Sequence, residues 1–453
     1  MNGSRMSASP ADTLVSRDRP VNGRLRVKER HLLLSRDFGL VWWGQLISQV
    51  GDGVSKLALL WFVYSVTGSP IKTTVIGMLQ TIPPIIFGPL IGVYLDRLPK
   101  KPVLIVTDLL RALLIGLIPC WVSPSDFTVE RLYMLVFLHA LATAVFGPAL
   151  TASVPHLVKP AKFTAANAWL QTTTSLGVIL GPALSGIGIA ALSSQSVLCV
   201  NAVTYVVSAL CLLPVRLPSI RRSSGQSALL SSPIKDLVDG LRFAKQDILL
   251  LLIVIAALHS FGTAAFSTLF PVFGRKMLDL GPVEVGYLWS ALGVGLLLMS
   301  LGLVRMTEWE FSRRLQVIAG SSAVSGAALF GLAGASNSSI AALCMVVIGA
   351  GIGTFTPIAW GVLQEIAPES LVARVLTIYG TSAMTAAIVG MTIFGWITQQ
   401  FGERTSVMAI GGVLLATAAL VAKSQQWVAR LPSKRNGRSV YGQTTCARSE
   451  PRD

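Results

Sequence analysis

Charge is what this chain has least of. Of its 453 residues only 13% are Asp, Glu, Lys or Arg, against roughly 25% in an ordinary soluble domain. With 52% hydrophobic residues and a mean hydropathy of +0.65, the composition excludes a typical soluble protein and points to a chain embedded in lipid along most of its length. Cysteine is scarce too: Cys120, Cys199, Cys211, Cys344 and Cys446 lie scattered without C-x-x-C spacing, which argues against a disulfide framework or a thiolate metal centre. His31, His139, His156 and His259 are too dispersed for a zinc protease motif, and no G-x-S-x-G elbow occurs. A G-x-x-x-x-G-K-S/T phosphate loop is absent, and the Gly349–Gly353 run falls inside an apolar helix rather than after a strand, so neither ATP hydrolysis nor dinucleotide binding is expected. These absences predict no enzyme activity, no cofactor and no metal. Before Leu32 there is no apolar core for a cleavable signal peptide, so the first span is expected to serve as the insertion signal.

What the chain has in quantity is apolar runs of about 20 residues. They predict twelve membrane-spanning helices near 38–66, 70–95, 102–122, 132–154, 166–192, 195–215, 248–273, 284–304, 315–334, 339–363, 374–398 and 405–422. The formal net charge of +16 is read through its distribution. With the N-terminus in the cytoplasm, that side receives the basic tails, the middle loop and short loops carrying Arg97, Lys100, Lys101, Lys159, Lys162, Arg313 and Arg314. The opposite side has only Lys72, Arg131, Arg275, Lys276 and Arg404. This is the positive-inside asymmetry, and it predicts a multi-pass protein of the cell membrane with both termini cytoplasmic. Aromatic residues are not interleaved with the basic ones of the tails in the way usual for nucleic-acid binders, which argues against nucleic-acid binding.

The domain reading follows: a disordered basic tail at 1–37, a six-helix half at 38–215, a linker at 216–247, a second six-helix half at 248–422 and a disordered basic tail at 423–453. In the linker Ser232 and Pro233 start a helix whose Ile234, Leu237, Val238 and Leu241 form an apolar stripe, predicting an amphipathic helix on the membrane surface or packed on the bundle. Across this divide residues recur at an offset of 209: Gly77 and Gly286, Leu79 and Leu288, Phe146 and Phe355, Pro148 and Pro357, Gly181 and Gly390, Gly186 and Gly395. The repeat predicts two homologous halves in parallel orientation with a substrate site between them.

Within the first span Gln45, Gln49, Asp52 and Lys56 share one helical face. Asp and Lys near the middle of such a helix require partner helices or a water-filled cavity, so this face predicts a polar path through the membrane. Asp52 is the deepest acid in that path. It is a candidate proton-coupling residue with Lys56 one turn away; a closed Asp52–Lys56 pair would make it structural instead. Asp108 and Arg111, at i, i+3 in the third span, form a structural or gating pair. His139 and His259 read first as hydrogen-bonded core residues, with His139 a minor proton-coupling candidate.

The segment Gly92-Val93-Tyr94-Leu95-Asp96-Arg97-Leu98-Pro99-Lys100-Lys101 resembles the loop signature between the second and third helices of the major facilitator superfamily. Gly44-Gln45-Leu46-Ile47-Ser48-Gln49-Val50-Gly51-Asp52, Phe146-Gly147-Pro148-Ala149 and Ala165-Ala166-Asn167-Ala168 resemble the drug and siderophore efflux branch, which includes macrolide-efflux proteins and the enterobactin exporter. Gly177, Gly181, Pro182 and Gly186 resemble the antiporter motif of superfamily exporters, with Ser185 in place of one Gly; small residues at that spacing also let helix backbones approach closely. The resemblance implies an all-α fold of twelve transmembrane helices and a gating role for Asp96, with Arg97, Lys100 and Lys101 as donors to it or to lipid phosphates. It also implies secondary active transport: proton-coupled efflux of an amphipathic organic compound through a cavity lined by Gln45, Gln49, Asp52 and Lys56, together with Gln80, Gln171, Trp360 and Gln364. A monomer in the lipid bilayer suffices for this. The alternatives are a lysophospholipid or metabolite carrier and, from another class, a membrane-embedded sensor or passive channel.

Two outcomes are expected. Tags on either terminus are reachable only from the cytoplasmic side; surface labelling of the C-terminus in intact cells excludes the twelve-span topology. Asp96→Asn leaves membrane abundance unchanged and sharply slows transport, because the acid biases the opening of the cytoplasmic side; wild-type flux in that variant reduces the loop to a topology signal.

Overall fold

The computed structural model describes residues 35–95, 98–122, 128–217, 247–303, 310–367 and 372–430. Asp96 and Arg97, the linker stretch in which an amphipathic helix is predicted, and both tails beyond those limits lie outside the described residues. Among the described residues twelve helices are long and apolar enough to cross a membrane. In the first half they are α1 (Arg36–Thr67), α2 (Pro70–Leu95), α3 (Lys100–Trp121), α4 (Val129–Leu157), α5 (Phe163–Ala191) and α6 (Ser194–Leu212). The second half comprises α7 (Asp247–Met277), α8 (Pro282–Leu303), α9 (Phe311–Ala333), α10 (Ser338–Ile366), α11 (Val372–Phe401) and α12 (Glu403–Arg430). No strand occurs among the described residues.

The helix ends have local causes. Gly68, at φ 60°, turns the chain between α1 and α2 while its N–H closes on the Tyr64 carbonyl at 2.8 Å; only a residue without Cβ takes that left-handed position freely. The Asn337 side chain accepts the Ile340 N–H at 2.9 Å to start α10, and the Ser193 Oγ accepts the Ser196 N–H at 3.1 Å to start α6. At the other extreme α12 continues past residue 422 to Arg430. Hydropathy ends at Lys423, but Lys and Gln are good helix formers and extend the last turns beyond the apolar run.

Packing repeats between the halves. In the first, α1 packs on α5 and α6, α3 on α4 and α6, and α2 on α4; in the second, α7 packs on α11 and α12, α9 on α10 and α12, and α8 on α10. The halves meet through α5 with α8 and α2 with α11. Glycines set how closely these helices approach. A Cβ on Gly181 would lie 2.5 Å from the Gly53 Cα of α1, and one on Gly177 would collide with the Gln49 carbonyl. Across the interface, a Cβ on Gly186 would strike the Pro282 carbonyl and one on Gly286 the Pro182 carbonyl. The second interface uses the repeat-related positions: Gly395 faces Thr74, and Gly77 faces Met391 as well as Thr268 of the neighbouring α7. The predicted small-residue motif of α5 is thus a double contact surface, with Gly177 and Gly181 turned to α1, and Pro182 and Gly186 to α8.

The apolar core is continuous at one end only. Around the α1–α2 and α7–α8 turns, Leu60, Phe62 and Tyr64 of α1 join Phe266, Phe270 and Phe273 of α7 and Leu288 and Trp289 of α8 in one cluster spanning both halves. Toward the opposite end the clusters separate, with Leu252, Phe355 and Tyr379 in the second half and Phe38, Trp42, Val41 and Leu104 in the first. The molecule is sealed at the first end and parted at the second.

This geometry makes glycine substitutions diagnostic. Gly181→Val, which pushes α1 from α5 inside one half, is expected to cost about 1–3 kcal/mol of stability by overpacking, read as a lower unfolding midpoint of the purified protein. Gly286→Val strains only the seam between halves and is expected to lengthen the distance between labels on α5 and α8 with the midpoint little changed. Equal loss of stability in both variants would contradict the separation of the two contact surfaces.

Candidate functional site

Four helices of the first half converge on Asp52. The acid is half-buried on α1 and accepts the hydroxyl proton of Tyr205 from α6. Asn201, one turn earlier on α6, also hydrogen-bonds Asp52; its Nδ2 donates to Ser55 Oγ on α1, and its Oδ1 accepts from Thr204 Oγ1 at 2.8 Å. On the far side of Tyr205 the phenol oxygen lies 2.9 Å from His139 Nε2 of α4. While Asp52 is ionised the phenol proton is committed to it, so Tyr205 can only accept from His139, which places a proton on Nε2. The three side chains form one hydrogen-bonded line of titratable groups from α4 through α6 to α1.

Beside this line lies Arg111 of α3, 1% exposed. Its guanidinium is sandwiched between Phe146, 4.0 Å from the ring centroid, and Tyr205, 4.4 Å away. It pairs with Asp108, which is itself fully buried and hydrogen-bonded by Ser208. Arg111 Nε and Asp108 Oδ2 have no partner among the described residues. Burial on this scale is tolerated because the pair neutralises itself and the ring faces take up part of the cation's field. With Asp52 and Asp108 both ionised, these two acids and Arg111 together carry one net negative charge.

Two cavities flank the acid. One, of about 330 Å³, is lined by Gln45, Gln49, Asp52, Arg111, Thr143, Phe146, Thr151, Asn167, Leu170, Gln171 and Thr174 among others. The other, of about 310 Å³, is lined by Asp52, Ser55, Lys56, Leu59, Gln80, Pro84, His139, Ala140, Thr143 and Ala144. Asp52 and Thr143 belong to both walls. A third, more open concavity of about 490 Å³ lies in the second half between Phe261 and Thr381, Ser382, Thr385, Ala386 and Val389.

The structure therefore gathers most of the predicted residues. Gln45, Gln49 and Gln171 line the first cavity; Lys56, Gln80 and His139 line the second. Trp360 and Gln364 are exposed on α10 and line neither. Asp52 and Lys56 make no ion pair among the described residues, so the closed pair is replaced by Tyr205 and Asn201 as partners of the acid. Lys100 and Lys101 serve helix ends: Lys100 Nζ donates to the Leu95 carbonyl and Lys101 Nζ to the Leu213 carbonyl at 2.6 Å, satisfying carbonyls that close α2 and follow α6. His259 is not hydrogen-bonded as expected; buried, it stacks on Phe355 at 3.8 Å, and neither ring nitrogen has a partner among the described residues. Tyr205 and Asn201 went unpredicted, although Asn201, Thr204, Tyr205 and Ser208 stand at helical spacing on one face of α6. No group of His, Cys, Asp or Glu fit to hold a metal occurs among the described residues.

Comparison with known proteins agrees with this architecture. The family model described as Major Facilitator Superfamily matches residues 41–391. Macrolide efflux protein A of Streptococcus pyogenes is 23% identical over 385 residues, covering 84% of this chain and 94% of its own length. The multidrug efflux pump Tap of Mycolicibacterium fortuitum is 27% identical over 379 residues, covering 82% and 91%. Among solved structures, a bacterial homologue of the iron transporter ferroportin in an inward-facing state shares the fold with a TM-score of 0.68 at 17% identity, covering 86% of this chain and 99% of its own. The twelve-helix fold, the repeated halves and the family match lead to one assignment: the chain belongs to the major facilitator superfamily and is a membrane transporter rather than an enzyme.

Proposed function

We propose that this transporter exports an amphipathic organic compound across the cell membrane in exchange for protons, with Asp52 as the coupling acid. The observation that carries the reading is the position of Asp52 in the wall shared by two cavities, bonded to Tyr205 and through it to His139. A proton and a substrate group competing for one carboxylate cannot both occupy it, and that competition is the physical basis of exchange. The first cavity mixes amides and hydroxyls with Phe146, Leu150 and Leu170, a lining suited to a molecule with polar groups on an apolar frame. The efflux activities named for the relatives support the outward direction.

Both termini are cytoplasmic in this reading, by the distribution of basic residues, so the parted end faces the cytoplasm and the sealed end faces outward. Asp96 and Arg97 keep the gating role that the resemblance implies, with Lys100 and Lys101 bonded to neighbouring helix-end carbonyls, while Asp108 and Arg111 hold the helices around the coupling acid. Alternation requires the seam of α5 with α8 and α2 with α11 to part as the other end closes.

The test uses vesicles reconstituted with the purified protein, an imposed proton gradient, and a radiolabelled macrolide and ethidium as probes. Asp52→Asn is expected to abolish gradient-driven accumulation and to weaken probe binding, because the amide resembles the neutral acid, leaves the substrate group no carboxylate and releases no proton. Tyr205→Phe, which removes one hydrogen bond to a charged group, is expected to slow transport about tenfold or more. Uphill transport at the wild-type rate by Asp52→Asn removes this residue from coupling.

A further inference from the structure

Lys56 has an unusual position for a lysine within a membrane span. It lies one turn beyond Asp52 on α1, is accessible from the cavity it lines with Asp52, Gln80 and His139, and makes no ion pair among the described residues. Its ammonium instead stands 5.7 Å from the ring centroid of Trp289. Trp289 belongs to α8 in the opposite half, is 5% exposed, and is held edge-on by Phe270 at 5.8 Å. A contact of the same kind runs in the reverse direction nearby: Arg275 of α7 lies 5.4 Å over the ring of Trp61 on α1. Each half lends a cation to a tryptophan of the other, and both tryptophans belong to the apolar cluster that seals this end.

Of the two, only Lys56 also borders the coupling acid. At i, i+4 on one helix the ammonium and the Asp52 carboxylate come within reach through side-chain rotation alone. In the present arrangement Tyr205 and Asn201 occupy the carboxylate, and the lysine faces the ring. The groups around Lys56 are Asp52 and Ser55 of α1, Gln80 of α2, His139 of α4 and Trp289 of α8, so among the described residues Asp52 is the acid placed to draw it away.

We propose that Lys56 is a two-position residue that transmits the charge state of Asp52 to the seam between the halves. Over Trp289 it holds the sealed end shut; turned back toward an ionised, uncompensated Asp52 it releases that end. A proton arriving on Asp52 frees the lysine to return to the ring, so proton binding and closure of this end occur together. The inference rests on Asp52 as the coupling acid.

The test places spin labels at positions 72 on α2 and 284 on α8, both exposed at the sealed end, and measures their distance distribution in reconstituted full-length protein. Lys56→Met and Trp289→Leu are each expected to shift the population toward the longer distance by about two- to thirty-fold, the range one cation–aromatic contact supports, and Trp289→Phe to restore part of it. Asp52→Asn is expected to favour the short distance when Lys56 is present and to have no effect in the Lys56→Met background. Should Lys56→Met fail to fold, Trp289→Leu gives the same reading from the other half. Unchanged distances in both variants overturn the lock, and an equal effect of Asp52→Asn in both backgrounds overturns the link to the acid. In that second case, full uphill flux by Asp52→Asn assigns the fault to the coupling acid, whereas lost flux assigns it to Lys56.

Discussion

A guanidinium buried between α3, α4 and α6 governs the chemistry of the first half. Moving such an ion into a low-dielectric interior costs several kcal/mol even after the surroundings relax, and the fold offsets this with Asp108 on the same helix and two ring faces from α4 and α6. Those choices have consequences outward. Tyr205 must stand where its ring covers Arg111, and that places its hydroxyl against Asp52 and within reach of His139. The residue that stabilises the buried cation is therefore also the one that connects the two proton-binding candidates.

The second half keeps the frame without the charge. Phe355 occupies the repeat position of Phe146, yet the group stacked on it is His259 from α7 instead of an arginine from α9. Position 320, which corresponds to Arg111 by the same offset, is Gly320. Two halves with the same helix contacts thus carry different burdens, one concentrating the ionisable groups and the other supplying an apolar counterface with Trp289 at its edge.

Much of this was legible in the chain before any coordinates. Apolar runs define spans because lipid admits no unpaired backbone, and the offset of 209 persists because equivalent glycines sit at equivalent close contacts, Gly186 against Pro282 and Gly395 against Thr74. The polar face of α1 was legible for a related reason: Gln45, Gln49 and Asp52 cannot face hydrocarbon, so they had to line a cavity. Partnership was not legible. Periodicity tells which face of a helix turns inward but not which neighbour it meets: the spacing offers Asp52 a partner in Lys56 on its own helix as one alternative, whereas its hydrogen-bond partners lie on α6. Trp360 and Gln364 illustrate the same limit, since aromatic and amide groups near the end of a helix can face a cavity, lipid or headgroups without changing the pattern. The α6 stripe of Asn201, Thr204, Tyr205 and Ser208 carried a signal as strong as that of α1 but consisted of neutral groups, which a search for charge passes over.

The two seams between the halves differ in material. Along α5 and α8 the closest approach is main chain to main chain, Gly186 to Pro282 and Gly286 to Pro182, whereas along α2 and α11 the side-chain ends of Thr74 and Met391 stand between the helices, with Thr268 of α7 beside them. Backbones in direct contact have no soft atoms to compress, while a methionine and two threonines can change rotamer and fill a changing gap. If the halves rock as proposed, they would hang like a door with one tight pin and one loose one: the first seam would set the axis, the second would take up the play, and the swing would be lopsided even though the helices that carry it are arranged as twins.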